Sequence, residues 1–422
     1  MLTTTAFWRF TLLSGVVTIL TVSSAVANVT DDRLYRLGDD SLEGASAGIV
    51  LGAGGSNVAP GFTLDSQGPP GNNAFLDIQV FGTPRYISVA DRPGAGATLG
   101  ALFDGPGSGD YLRTIVSMNV PSSMWDNTTF FPPATPFGLN YEGILSHGIQ
   151  LWTKPNAATQ SVRQDLILDT AQHGIYITPT NRWGLQYGDA FNNNQIVNID
   201  SGVPVAFNAW THVMEIGGHG DPDKGRSNLG RALFVNGVAV AASNTFYGGD
   251  TSALSIGANQ NGSGNFYNGV LDDVRLFFWG DNSGQTNGGA GPNGQDWGNL
   301  NLAQDNQWIA NQLTVLGVTD AADVNLNGTV DNNDVTAFLP DWQKVRLVNG
   351  VQVGDWTSRQ DSDLNFDGIV DLKDAYLLHQ GLISAGFSAG LNFSLLGTAV
   401  PEPTAAMLAT FGLLLVGCLR RY

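Results

Sequence analysis

The sequence predicts a mainly β fold, a β-sandwich or jelly roll, followed by a small α-helical module built around two acidic loops. Three observations predict it. Between residues 30 and 280, alternating or apolar runs recur at short intervals, separated by clusters of Gly, Pro, Asn and Asp. No long amphipathic helix interrupts this region. Near the C-terminus, two twelve-residue stretches rich in Asp, Asn and Gly repeat in one register. The 422 residues leave room for about two or three domains, and 54 of them are glycine, which suits many tight turns.

In chain order, residues 1–27 read as a secretory signal. Arg9 supplies the positive start, Phe10–Val22 the apolar stretch and Ala25-Val26-Ala27 the small-residue cleavage site. Residues 28–280 form the large β unit. Its strand-like runs are Arg85–Val89, Leu112–Met118, Gly148–Thr153, Gly174–Thr178, Trp183–Tyr187, Leu233–Val235 and Val270–Phe278. Asn236-Gly237, set between Leu233–Val235 and Val238–Val240, signals a two-residue hairpin. Residues 281–300 are a Gly/Asn-rich linker. Asn301–Leu316 is a helix candidate, with Leu302, Trp308, Ile309, Leu313 and Leu316 apolar, and it opens a module at 301–385. Residues 386–399 are a spacer, and 400–422 a terminal tail.

Loop one runs from 323 to 334 and loop two from 363 to 374. Positions 1, 3, 5, 7, 9 and 12 hold Asp323, Asn325, Asn327, Thr329, Asp331 and Asp334 in the first. They hold Asp363, Asn365, Asp367, Ile369, Asp371 and Asp374 in the second. A calcium ion takes about six to eight hard oxygens at roughly 2.3–2.6 Å, and a twelve-residue loop offers side chains at 1, 3, 5, 9 and 12 with a backbone carbonyl at 7. Gly328 and Gly368, at position 6, permit the sharp turn around the ion. Val330 and Val370, at position 8, are expected to pair the two loops over a small core. Loop two has four carboxylates against three in loop one, so it is expected to bind more tightly.

Asp at position 12 and the lack of a clear helix ahead of each loop differ from EF-hand sensors. On these residues the module resembles type I dockerin repeats, each a calcium loop followed by one helix, which implies two bound Ca2+ ions. After loop one, Val335–Leu339 continues as a short apolar segment until Pro340 stops it, and after loop two Ala375–Gly381 reads as a helix closed by glycine. Positions 10 and 11 are Asn332-Asn333 and Leu372-Lys373, unlike the hydroxyl pairs with which clostridial dockerins meet cohesins. A hairpin signal, Val345–Val353 turning at Asn349-Gly350, also separates the repeats. A cohesin-like partner is therefore an alternative and not the main reading.

Gly148–Pro155, Asn208–Val213, Arg231–Gly237, Ser255–Ala258 and Phe266–Phe277 follow one another in an order that resembles a laminin-G-like, concanavalin-A-like jelly roll. The resemblance expects Trp210 and His212 to pack beneath the sheet. It implies recognition of an extracellular polysaccharide or a surface protein, and a further calcium ion at the rim, for which Asp39, Asp40 and Asp272 are the candidates. Trp183, Tyr187, Phe191, Phe246 and Tyr247 either stack on a glycan or fill the core, and no sugar site is fixed.

Several chemistries are excluded or demoted. Glucanases of this superfamily place a nucleophile and an acid on one strand as Glu-x-Asp-x-Glu, with carboxyls about 5–5.5 Å apart. The only glutamates here are Glu43, Glu142, Glu215 and Glu402, no two of them close in sequence. Asp165 with Asp169, or Asp272 with Asp273, are the available substitutes, and turn aspartates are the simpler account. The five histidines lack the spacing of a zinc site, and no Gly-x-Ser-x-Gly elbow or P-loop occurs. A net charge of −18 argues against nucleic acid. Cys418 is the only cysteine, so calcium, not a disulfide, would staple the small module.

At the C-terminus, Val400-Pro401-Glu402-Pro403 precedes an apolar run from Ala405 to Leu419 and a basic end, Arg420-Arg421. This resembles the PEP-CTERM sorting signal, which implies export machinery, an exosortase partner and a Gram-negative-type envelope; a plain membrane anchor is the alternative. The sequence thus describes an exported, non-catalytic surface or matrix protein. A polysaccharide-degrading component and a cohesin-docking assembly protein are its rivals.

Overall fold

The computed structural model describes residues 29–39, 46–51, 62–63, 78–94, 96, 98–114, 146–156, 161–169, 173–189, 195–217, 231–244, 254–279 and 302–399. Residues 1–27, 281–300 and 400–422, expected to be a signal, a linker and a sorting tail, lie outside them. Where the sequence alternates apolar and polar residues between turn clusters, strands form. They are β1 (Val29–Tyr35), β2 (Phe62–Thr63), β3 (Ile78–Phe81), β4 (Arg85–Ser88), β5 (Leu99–Asp104), β6 (Tyr111–Thr114), β7 (Ser146–Pro155) and β8 (Gln164–Asp169). Then come β9 (Gly174–Ile177), β10 (Arg182–Asp189), β11 (Gln195–Pro204), β12 (Thr211–Gly217), β13 (Arg231–Val235), β14 (Val238–Ser243), β15 (Leu254–Ile256) and β16 (Asn268–Trp279).

Two eight-stranded sheets result. Sheet I runs β14-β13-β12-β7-β16-β5-β4, with β1 also paired to β16; sheet II runs β11-β10-β9-β8-β15-β6-β3-β2. Neighbours distant in sequence, such as β7 with β16 and β15 with β6, are the crossovers of a jelly roll. The core lies between the sheets: Ile149, Leu151, Val213, Leu233 and Leu271 from sheet I meet Ile167, Ile175, Ile177, Leu185 and Ile256 from sheet II. Trp183 and Tyr187 are buried in this core, so they are packing residues and not a glycan platform; Phe191, Phe246 and Tyr247 lie outside the described residues. Asn236 (φ 48°) and Gly237 (φ 74°) form the expected primed turn between β13 and β14.

The second unit contains α1 (Leu302–Asp305), α2 (Gln307–Leu316), α3 (Asn332–Phe338), β17 (Leu347–Val348), β18 (Val351–Gln352), α4 (Trp356–Gln360), α5 (Leu372–Ser384) and α6 (Ser394–Ala399). The single helix expected over 301–316 is broken at Asn306, whose backbone is extended (ψ 107°) and whose side chain caps α2 by accepting from the amides of Trp308 and Ile309. A short helix, α4, does precede loop two, contrary to expectation; the Asp355 carboxylate caps it by accepting from Ser358 N–H, and Asp355 N–H donates in return to the Ser358 hydroxyl. Gly381 does not close α5 either. A Cβ there would lie 2.1 Å from the Cβ of Ala322, so the glycine lets α5 approach the turn ahead of loop one closely. The helix ends at Ala385, followed by Gly386 (φ 98°), with Gly386 N–H bonded to Ile383 O and Phe387 N–H to Leu382 O. Asn349 (φ 50°) and Gly350 (φ 80°) turn the expected hairpin.

The two units share a second core. Met214, Ile216, Ala232, Phe234, Ala239, Ala242 and Phe277, on the outer face of sheet I, are buried against Leu302, Ile309, Val348, Val351, Val353, Trp356 and Phe366. This is why all seven residues of β12 are buried: both of its faces are covered. Among the described residues no helix is long and apolar enough to cross a membrane.

Candidate functional sites

The two acidic loops have superimposable local chemistry. Position 4 and position 6 are left-handed in both: Leu326 (φ 58°) and Gly328 (φ 86°), Phe366 (φ 58°) and Gly368 (φ 84°). A leucine or phenylalanine in that region costs about 1–2 kcal/mol, so two such residues in register mark an imposed loop shape. The first carboxylate takes two amides in each loop. Asp323 accepts from Asn327 N (3.0 Å) and Gly328 N (2.7 Å), and Asp363 from Asp367 N (3.1 Å) and Gly368 N (2.8 Å). The last carboxylate folds back in the same way. Asp334 accepts from Asn325 N and Asp331 N, and Asp374 from Leu364 N, Asn365 N and Asp371 N. Asp331 and Asp371, at position 9, cap α3 and α5.

Helix capping accounts for positions 9 and 12 but not for the acidic and amide side chains at 1, 3 and 5. Asp323, Asp334, Asp363 and Asp374 are all buried. Burial pushes Asp363 up to about 6 and Asp374 up to about 7. The Arg359 guanidinium, buried on α4, lies within electrostatic reach of all four carboxylates and donates to the carbonyls of Ala321 (3.0 Å) and Asp323 (2.8 Å). Nothing in the sequence pointed to Arg359. Desolvated carboxylates and amide oxygens in this order are a hard donor set that suits a divalent cation. As they stand, no three of His, Cys, Asp and Glu among the described residues are gathered closely enough to hold a metal. The carboxylates are turned to backbone amides, and Lys373 Nζ bonds Asp367 (3.0 Å).

Val330 and Val370 both join the module's own core, around Phe338, Leu378 and Leu382. The pairing expected between them is replaced: Val370 N–H bonds Lys344 O (2.9 Å) and Val370 O accepts from Gln343 N–H (2.9 Å). The chain entering the hairpin pairs with loop two at this position.

At one rim of the sandwich, Trp210 is only half-buried and does not pack beneath the sheet. It immediately precedes β12, after a turn in which Asn208 is left-handed (φ 57°). Its indole N–H donates to Asp91 Oδ1 (3.0 Å), Lys154 Nζ donates to Asp91 Oδ2 (2.5 Å), and the Lys154 ammonium lies 5.8 Å from the indole ring. Hydrogen bonds from Lys154 and then Trp210 hold the Asp91 carboxyl below its ordinary range. An aromatic face, a carboxylate and an amine thus converge on the rim.

The ring that packs under the outer face is Trp152, edge-on to buried His212 at 5.1 Å. His212 Nε2 meets Gln150 Oε1 (2.9 Å), and burial followed by the nearby Arg92 charge pushes His212 down to about 3, so it is neutral. Asp272 and Asp273 occupy a bulge in β16, with Asp273 at φ 45°, and both pair with the buried Arg92. Burial raises both carboxyls. A guanidinium already lies between these two carboxylates, and Asp39 accepts from the amides of Thr98 and Leu99. Asp40 lies outside the described residues. Asp165 is held by Arg163 Nε (2.5 Å) and Asn265 Nδ2 (2.8 Å).

Residues 144–278 match the family model of the concanavalin A-like lectin/glucanases superfamily, of laminin G type. No curated protein matches the chain. Among solved structures it resembles domain 4 of AbnA, a GH43 extracellular arabinanase from Geobacillus stearothermophilus, in complex with arabinotriose (15% identity, 51% of this chain, 86% of that chain, TM-score 0.32). It also resembles the binding domain of Paraclostridial Mosquitocidal Protein 1 (13% identity, 58% of this chain, 49% of that chain, TM-score 0.35). A third likeness is to the botulinum neurotoxin type G receptor binding domain (10% identity, 55% of this chain, 48% of that chain, TM-score 0.31). The chain spans about half the length of the two toxin domains.

Proposed function

We propose that this chain, with its concanavalin A-like jelly roll, is an exported, non-catalytic glycan-binding protein of the cell surface or extracellular matrix. The observation that carries the reading is the rim at Trp210. The half-buried indole would set the face opposite the Lys154 ammonium against the apolar face of a sugar ring, and Asp91 and Lys154 beside it would exchange hydrogen bonds with hydroxyls. Of the aspartates that would be needed for hydrolysis, Asp165, Asp272 and Asp273 are each paired with an arginine.

In this reading the C-terminal module is a calcium-stabilised, dockerin-like unit. Asp323, Asn325, Asn327, Asp331 and Asp334 would hold one ion and Asp363, Asn365, Asp367, Asp371 and Asp374 the other, with the carbonyls of Thr329 and Ile369. The cation supplies charge neutralisation to crowded, desolvated aspartates. Residues 1–27 direct export, and 400–422 direct sorting through an exosortase to the envelope surface.

The test is a polysaccharide-binding screen of the full chain, with Trp210→Ala beside it. Saturable binding without release of reducing sugar, reduced at least about tenfold by Trp210→Ala, supports the reading. Reducing-sugar release would replace it with the hydrolase. Binding to no glycan, with capture of a cohesin-like protein, would replace it with the assembly role.

A further inference from the structure

We propose that the outer face of sheet I is the docking surface for the cation-loaded module, so that filling the acidic loops and seating the module on the jelly roll are one coupled event. The proposal rests on the calcium reading given above.

Its first support is the side chain at position 4 of each loop. Phe366 is buried in the core shared with sheet I, and Leu326 packs against the same core. Both are held at φ 58°. The left-handed backbone that wraps each loop is therefore also what aims a large apolar side chain at the jelly roll. A loop that relaxes to an ordinary backbone withdraws its position-4 residue from the interface.

A second support is a run of hydrogen bonds from the edge of the jelly roll to the first carboxylate of loop two. β14 is an edge strand of sheet I, and its outward amides are taken by the module. Ala239 N–H donates to Asp355 Oδ2 (3.0 Å) and Ala242 N–H to Asn349 Oδ1 (3.1 Å). Asp355 also accepts from Arg346 Nη2 (3.0 Å) and from Ser358 N (2.8 Å). The Ser358 hydroxyl lies 3.0 Å from Asp355 O and 2.6 Å from Asp363 Oδ2. With one proton to give, it gives it to the charged acceptor. Arg346 closes the circuit from the other side, since its N–H donates to Gly368 O (2.8 Å), at position 6 of loop two. Space is equally constrained: a Cβ at Gly354 would lie 1.8 Å from Phe366 O, and one at Gly368 2.7 Å from the Val353 carbonyl carbon. Loop two cannot change shape without moving the segment that bears Asp355.

Coupling of this kind is reciprocal: if the cation favours docking, docking raises affinity for the cation by the same factor. The test uses the full chain and a residue on the jelly roll that touches no candidate ligand. Val238→Asp places a charge in the shared core from the sheet I side, and Ala242→Lys does the same should the first variant fail to fold. Calcium titration by calorimetry should show affinity reduced by at least about fivefold in either variant. Amide hydrogen exchange in the unaltered chain should slow at Ala239 and Ala242 when calcium replaces chelator. Wild-type affinity in a folded variant, or exchange at these amides indifferent to calcium, overturns the coupling and leaves the calcium reading standing. A chain that takes up no calcium at about 1 mM overturns both.

Discussion

In loop one the first carboxylate, Asp323, takes the amides of Asn327 and Gly328; in loop two Asp363 takes the equivalent pair and the Ser358 hydroxyl besides. At the other end Asp334 takes Asn325 N, while Asp374 takes both Leu364 N and Asn365 N. Loop one borders a cavity of about 230 Å³ between Thr319, Asp320 and the end of α5. Loop two is pressed between the hairpin and α4, with Phe366 in the shared core. Two loops of one donor pattern thus differ in their support. Affinity in such sites depends on how firmly the ligands are held as well as on how many carboxylates there are. In loop two both factors act in one direction, apart from Lys373, which spends part of the charge of Asp367.

That comparison can be broken most directly at position 1. Asp363→Ala should remove the tighter of two calorimetric sites, a loss of upward of about 100-fold, while Asp323→Ala removes the weaker. Equal affinities, or a tighter first site, would end the ranking. Ser358→Ala probes support alone, because it leaves every ligand in place. It should weaken loop two about tenfold and leave loop one unchanged, again by calorimetry. On the loop one side, Gly381→Ala should cost about 1 kcal/mol in thermal unfolding. The added methyl meets Ala322, and overpacking of about 1–3 kcal/mol outweighs a helix gain of about 1 kcal/mol. The smallest expected effect is Lys373→Gln, which frees Asp367. Loop two should tighten by about two- to threefold at low salt and not measurably at high salt, since the lysine is exposed.

The parts of this molecule that local chemistry decides were legible before any coordinates. The Asn-Gly turns, the strand runs and the register of the two loops each follow from a few adjacent residues whose backbone preferences leave little choice. Trp210 escapes the burial expected of it because β12, covered on both faces, begins only at Thr211, one residue later. Gly381 looked like a helix terminator because glycine more often ends a helix than packs inside one; only the approach of Ala322, 59 residues earlier, explains it. Arg359 and Ser358 belong to a five-residue helix too short to announce itself by periodicity. Docking of the module had one trace in the sequence. The run Val213-Met214-Glu215-Ile216 carries apolar side chains on both faces of its strand, as a strand covered on two sides does.

The covered edge of β14 has a consequence for handling the protein in pieces. Asp355 and Asn349 occupy amides that an edge strand otherwise offers to any passing chain, and the module hides Met214, Phe234 and Phe277 behind it. A jelly roll cut from the chain near residue 285 would bare an open strand edge next to an apolar patch, the two ingredients of self-association and precipitation. The module thereby shields its neighbour, and separating the two units would expose the strand edge and the apolar face together.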